Sequence, residues 1–261
     1  MKSPSIPRNP RSWWNLQNTG GLTYHYLARR YGPKLWWNFT HALNQALANW
    51  RTPQTQLVLV GPSAGYCLPP ALLSRFTRIA AIDLDPLAPA LFSRQHPGRQ
   101  VEWSQHDYFF DRRGAWQPQG PTQLIDDHPE HAILFCNILG QLTRYSERSN
   151  FADWRRNFQT ALTQINYFSF HDLFSSETRP EWPASIELAQ GEFAEGLAEL
   201  KRRFAAHQNE KRASPRRPEP LLLRDHLTND LFPVGPRKWE LWSITPKAHH
   251  IIELRKKFDN S

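Results

Sequence analysis

The segment from Leu57 to Asp85 limits what this chain can fold into more than any other. Leu57-Val58-Leu59-Val60 is a short unbroken apolar run, the kind a parallel strand covered on both faces requires. It stops at Gly61, and Gly65 follows four residues later, so the backbone can turn tightly with no Cβ in the way. Leu68-Pro69-Pro70 then opens a short helix through Phe76. A second apolar run, Ile79-Ala80-Ala81-Ile82, ends on Asp83, 22 residues after Gly61. Strand, glycine turn, helix, strand and acid form a known layout. It brings a ribose hydroxyl pair within reach of a carboxylate at the carboxyl edge of a sheet.

The details of the turn separate the families that use this layout. A dinucleotide fingerprint needs Gly-x-Gly-x-x-Gly, and those three places hold Gly61, Ser63 and Tyr66. A bulky Tyr66 where the helix must approach the strand counts against a nicotinamide-dependent oxidoreductase. The segment instead resembles the first two motifs of class I S-adenosylmethionine (SAM)-dependent methyltransferases, whose turn reads roughly Asp-x-Gly-x-Gly-x-Gly. On that pattern Gly61 and Gly65 match the outer glycines, Ser63 replaces the middle one, and Leu59 replaces the acid. Asp83 matches the ribose-binding acid, and Asp83-Leu84-Asp85-Pro86 resembles the sequence that follows it. Asp107 matches the acid after the third strand that takes the adenine amino group, and Asn137 falls where the fourth strand faces the transferring methyl.

The resemblance covers about residues 53 to 257. It implies an α/β, Rossmann-like, mostly parallel sheet of seven strands with helices on both faces, an antiparallel C-terminal hairpin and an N-terminal helical cap. It also implies SAM as cofactor, bound by Gly61, Ser63, Gly65, Asp83, Leu84, Asp107 and Asn137. The bland alternative is an ordinary strand–turn–strand unit of an α/β protein.

Hydrophobic content of 39% supports a packed core and argues against wholesale disorder. The chain divides into a tail and helical cap over residues 1–52 and a domain over 53–261, with an irregular insertion at about 176–236. Cys67 and Cys136 make no disulfide framework, which points to a reducing compartment. No secretory h-region opens the chain and no stretch reaches the ~18 apolar residues of a membrane span, so a cytoplasmic location is expected.

Charge is unevenly spread. The net charge is +8, and Lys2, Arg8, Arg11, Arg29, Arg30, Lys34, Arg51, Arg75 and Arg78 all precede Asp83, the first carboxylate. Such a field favours anionic partners or simply keeps a surface solvated. A second basic block holds Lys201, Arg202, Arg203, Lys211, Arg212, Arg216 and Arg217. Together with the aromatic N-terminal region (Trp13, Trp14, Tyr24, Tyr26, Tyr31, Trp36, Trp37, Phe39, Trp50) it allows RNA as an acceptor, by stacking on unpaired bases. Core packing explains the same aromatics equally well.

Further along, Thr23 caps a short helix that Gly32-Pro33 ends, and Leu35, Phe39, Leu43 and Leu47 mark an amphipathic helix from Pro33 to Arg51. Asp85 to Gln95 reads as a helix, and Val101-Glu102-Trp103 begins a third strand. Residues 112–130 read as a polar connection, where Asp126-Asp127-His128 lacks the further ligands a metal needs. A fourth strand runs from His131 to Asn137, a helix from Asn150 to Gln164, and a fifth strand from Ile165 to Phe170. That strand ends at His171-Asp172, where His171 is a candidate general base, although hydrogen bonding to a loop is the commoner use of such a histidine. Ser185 to Gln208 reads as a helix, residues 209–220 as a flexible loop, and the runs Arg237–Ile244 and His250–Arg255 as the closing strands.

The sequence thus supports a methyltransferase acting on an unidentified acceptor. Asn137-Ile138-Leu139-Gly140 lacks the prolines and aromatic wall of base-amino methylases. Loss of the acid at Leu59 and of the middle glycine at Ser63 motivates an alternative, a catalytically inactive protein that keeps the fold for binding.

Overall fold

The computed structural model describes residues 21–210 and 223–257. Its centre is a nine-stranded sheet, two strands more than expected. The strands are β1 (Gln56–Val60), β2 (Arg78–Ile82), β3 (Glu102–Ser104), β4 (His131–Cys136), β5 (Tyr167–Ser176), β6 (Ile186–Leu188), β7 (Arg224–Asp225), β8 (Arg237–Thr245) and β9 (Ala248–Lys256). The order across the sheet is β3-β2-β1-β4-β5-β9-β8-β6, with β7 on the side of β5. β1 to β5 are parallel, and β9 runs antiparallel to both β5 and β8.

Both faces of this sheet are covered, which is why β1 carries no polar residue after Gln56. Leu57 and Leu59 enter one core with Phe39, Leu43, Leu72, Phe92, Phe170 and Trp242. Val58 and Val60 enter the other with Leu124, Leu139, Trp154, Phe158 and Phe232. The first core lies under α1 (Gly21–Leu35), α2 (Trp37–Ala48), α3 (Pro70–Leu73) and α4 (Ala88–Gln95). The second lies under α5 (Gly120–Asp126), α6 (Leu139–Leu142) and α7 (Phe151–Gln164). A third, smaller core joins α8 (Phe193–Glu210) to β6 and β8 through Leu188, Leu200, Phe204 and Trp239.

Several elements depart from the sequence reading, each for a local reason. The N-terminal helix does not stop at Gly32-Pro33. Pro33 lies inside α1, and the interruption falls at Trp36, whose N–H still donates to the Gly32 carbonyl at 3.2 Å. The polar connection at 112–130 contains α5, which Pro121 opens and Leu124 anchors in the second core. Strand β5 continues through His171 and Asp172 to Ser176, because β9 pairs with it along that whole length. The region from Ser185 begins as strand β6: Ile186 and Leu188 are buried, Glu187 is exposed, and all three pair with β8. Gly191, at φ +90°, separates that strand from α8. Most of the expected loop at 209–220 lies outside the described residues.

The aromatic cap is core rather than surface. Trp36, Phe39 and Trp50 are each at most 2% exposed, whereas Trp37 and Tyr26 stand out at 68% and 64%. Trp13 and Trp14 lie outside the described residues. No helix among the described residues is long and apolar enough to cross a membrane.

Candidate functional site

The strand order reverses between β1 and β4: β2 and β3 lie on one side, β5 and the closing strands on the other. Open α/β sheets bind ligands in the crevice outside the carboxyl ends of the strands at such a switch point. Here that crevice is lined by Gly61, Pro62, Ser63 and Gly65 after β1, Asp83 and Asp85 after β2, and Cys136, Asn137 and Ile138 at the end of β4. Gly21 and Tyr24 of α1, Gln141 of α6 and Phe170 of β5 complete it, around a cavity of about 100 Å³.

The loop after β1 is held by the acid after β2. The Ser63 N–H donates to Asp83 Oδ2 at 2.7 Å, and the Asp85 N–H donates to Asp83 Oδ1 at 2.9 Å. Burial pushes the Asp83 carboxyl up to about 6, while the Asp85 and Ser63 amides pull the other way. Each Asp83 oxygen retains a lone pair for a hydroxyl donor. At the β4 end, the Asn137 N–H donates to the Phe170 carbonyl at 2.7 Å, and the Gln141 side-chain amide donates to the Asn137 carbonyl at 3.2 Å.

Two residues that line the crevice share an unusual state. Ser63 and Asn137 are both in the left-handed region at φ +51°. Ser63 Oγ and Asn137 Oδ1 are both buried with no hydrogen-bond partner. A left-handed backbone at a non-glycine residue and an unsatisfied polar atom each carry a cost, and here the two coincide twice along one cavity.

The other sequence-derived residues fall as follows. Gly61 is pressed by Ile138, whose Cβ would lie 2.9 Å from an added Cβ. Gly65 lines the crevice, but its close approach is to α4: an added Cβ would meet Phe92 and His96 at 2.7 Å each. Leu84 and Asp107 do not line the crevice. Asp107 Oδ1 accepts the N–H groups of Phe109 and Phe110 at 2.9 and 3.1 Å and shapes the turn after β3. Leu59, in the place of the family's acid, is fully buried in the first core and presents no charge to a ligand.

His171 does not serve as a base at this site. It is fully buried, its Nδ1 bonds Ser169 Oγ at 2.9 Å, its Nε2 lies 3.3 Å from Glu253, and its ring stacks on Phe232. It packs against the second core through Phe232, beside the buried Glu253. Asp127 of the Asp126-Asp127-His128 run accepts the Tyr108 hydroxyl at 2.7 Å.

Sequence reasoning missed the cap's attachment. His25 of α1 reaches Asp85 Oδ2 at 2.7 Å and the Tyr66 hydroxyl at 3.2 Å. Tyr66, read only as an obstacle in the glycine motif, holds α1 over the turn. Nothing in local sequence pairs residue 25 with residue 85.

The reversal at β1 and β4, the antiparallel β9 beside β5 and the acid-clamped glycine turn together decide the architecture. The chain has a Rossmann-like α/β fold.

No family model and no curated protein matches the chain. Solved structures similar to it include the N-methyltransferase NodS from Bradyrhizobium japonicum with S-adenosylhomocysteine, at 10% identity and a TM-score of 0.37, covering 85% of this chain and 87% of that one. A complex of DhpI with S-adenosylhomocysteine has 13% identity and a TM-score of 0.37, with 89% and 94% covered. The magnesium protoporphyrin IX methyltransferase from Synechocystis has 12% identity and a TM-score of 0.35, with 83% and 79% covered. At these distances the site reading rests on the geometry alone.

Proposed function

We propose that the chain is a SAM-dependent methyltransferase whose cofactor lies across the switch-point crevice. The observation that carries this reading is the pair of buried atoms without a hydrogen-bond partner, Ser63 Oγ and Asn137 Oδ1, on two residues that line the cavity between the glycine turn and β4. The residues present suit the group. Asp83 takes the ribose hydroxyls, and the turn from Gly61 to Gly65 receives the methionyl end. Asn137 and Phe170 border the space where the activated methyl would be presented. A cavity of about 100 Å³ is below the roughly 300 Å³ typical of ligand pockets. Loading therefore moves α1, which contributes Gly21 and Tyr24 to the wall.

The bound cofactor supplies an activated methyl sulfonium. The protein's part is to exclude water and hold an acceptor in line, so positioning carries most of the rate and no protein nucleophile is required. Asp107 and Leu84 belong to this reading as outer contacts of the adenosine end once α1 has moved.

Calorimetry with S-adenosylhomocysteine tests it. Asp83→Ala should weaken binding by about 1.5–3 kcal/mol, the range for charge-assisted hydrogen bonds to a ligand. No measurable binding by the unaltered chain, or equal affinity in the folded variant, would overturn it. The buried, apolar Leu59 favours a second reading, a protein that binds the cofactor without turnover. Saturable binding with no methyl transfer to any acceptor fraction would select it.

A further inference from the structure

Three side chains from distant parts of the chain converge beyond the middle of β5. Asp172 of β5, His250 of β9 and His226 of the loop after β7 each place a ligand-type atom within 4.8 Å of the other two. Asp172 and His250 are buried, and His226 is half-buried. His250 Nδ1–H donates to Asp172 Oδ1 at 2.8 Å. Burial raises the Asp172 carboxyl, but His250 more than offsets it and leaves the group below the ordinary carboxylate range.

His226 is held in one tautomer. Its Nδ1 bonds the Gly140 carbonyl at 3.2 Å, and since a carbonyl only accepts, the proton is on Nδ1. Its Nε2 keeps a lone pair, which the Ser175 hydroxyl engages at 2.9 Å. A ring nitrogen tied to a backbone carbonyl, with the opposite nitrogen left basic, is the arrangement that orients metal-ligating histidines.

The backbone around His226 is over-determined. Its N–H donates to the Leu173 carbonyl at 3.0 Å, and its carbonyl accepts from the Thr143 hydroxyl. The Thr228 hydroxyl donates to the Asp172 carbonyl at 3.0 Å. Between His226 and Thr228, Leu227 is forced to φ +55° while its side chain stays 53% exposed, so burial does not offset the strain. On the other side Gly140 approaches so closely that an added Cβ would lie 2.6 Å from Asp172 Cβ.

We propose that Asp172, His226 and His250 bind a divalent transition-metal ion, admitted from the half-exposed His226 side. Two imidazoles and one carboxylate suit Zn²⁺, Co²⁺, Ni²⁺ or Fe²⁺ better than Mg²⁺ or Ca²⁺, which favour all-oxygen ligand sets. One carboxylate leaves a net positive charge on the ion, which favours a further oxygen ligand, water or an anion, at the open position. A plain Asp172–His250 ion pair would explain neither the fixed tautomer of His226 nor the strain beside it. The site does not depend on the cofactor reading: none of its three residues lines the crevice.

The test is Co²⁺ added to the untagged full-length chain after chelator treatment, followed by visible absorption. The site requires ligand-field bands that saturate at one equivalent, and His226→Gln, folded by circular dichroism, should need at least about tenfold more Co²⁺. Absent bands, or the same titration in the variant, would overturn it. Should the variant not fold, the unaltered chain still decides by ¹⁵N-detected histidine ring signals. Co²⁺ must perturb His226 and His250 first, and perturbation of other histidines instead would overturn the site.

Discussion

His25 Nε2 of α1 lies 2.7 Å from Asp85 Oδ2, two residues beyond the carboxylate that ends β2. This hydrogen bond ties the N-terminal cap to the rim of the crevice, with both side chains only 9% exposed. Asp85 also accepts the Leu87 N–H at 2.9 Å, so the same carboxylate turns the chain toward α4. Burial raises the Asp85 carboxyl, but the His25 bond and charge and the Leu87 amide together bring it below its ordinary value.

Removing the latch should loosen the cap before it loosens the sheet. His25→Ala should cost about 1–3 kcal/mol, since it leaves a largely buried carboxylate without its side-chain hydrogen-bond partner. Hydrogen exchange should speed up in α1 and stay unchanged in β1 and β4. Uniform loss of protection across the sheet would count against a cap that opens separately.

Asp83 sets a pH dependence of both stability and binding. Its folded value of about 6 exceeds the ordinary 3.8, so between those values the folded chain holds a proton that the unfolded chain does not. Stability from this group is full below about pH 4 and is lost as pH rises through 6, an effect of up to ~3 kcal/mol. Asp83→Asn should therefore flatten that part of the stability curve, because it removes the titrating group. S-adenosylhomocysteine, in contrast, should bind the unaltered chain more tightly as pH rises through 6, because the ionised carboxylate is the better acceptor. Denaturant melts and calorimetry at pH 5 and 7.5 measure both trends.

Gly65→Ala should destabilise by about 2–4 kcal/mol, through the left-handed φ of +69° and the contact with Phe92 and His96. The damage should appear as exchange and melting changes centred on α4. A variant that melts like the unaltered chain would show that α4 is not packed on this turn.

Asn137→Gly should separate strain from function. Glycine relieves the φ of +51°, so the ligand-free fold should keep its melting temperature or gain up to ~1 kcal/mol. Loss of Oδ1 should weaken S-adenosylhomocysteine roughly tenfold, the worth of one hydrogen bond to a buried acceptor. Unchanged affinity would remove Asn137 from the site.

Much of the parallel half was legible because it is written in short range. β1 and β2 must be apolar where both faces are covered, and the turn after β1 carries glycine at the positive φ of Gly61 and Gly65. The interruption of the N-terminal helix was misplaced because Pro33 is tolerated where it sits in α1 and the interruption falls at Trp36, which is buried against Trp242. Strand β5 was read six residues too short at its C-terminal end, at Phe170 instead of Ser176. His171 is polar yet buried, and its hydrogen bond to Ser169 Oγ and its place beside Glu253 of β9 accommodate it there.

Local sequence determined the glycine turn, the acid that clamps it and the strand pair that carries both, since each depends on contacts within about 30 residues. Tertiary structure decided the rest. It made Gly65 a packing residue for α4, turned Tyr66 and His25 into the cap's attachment, and sent Leu59 into an apolar core. It also brought residues 172, 226 and 250 to one point, which no sequence spacing encodes. The physical reason is common to all of these. Which face of a strand a side chain takes follows from its period of two, but what waits on that face depends on pairings between segments far apart in the chain.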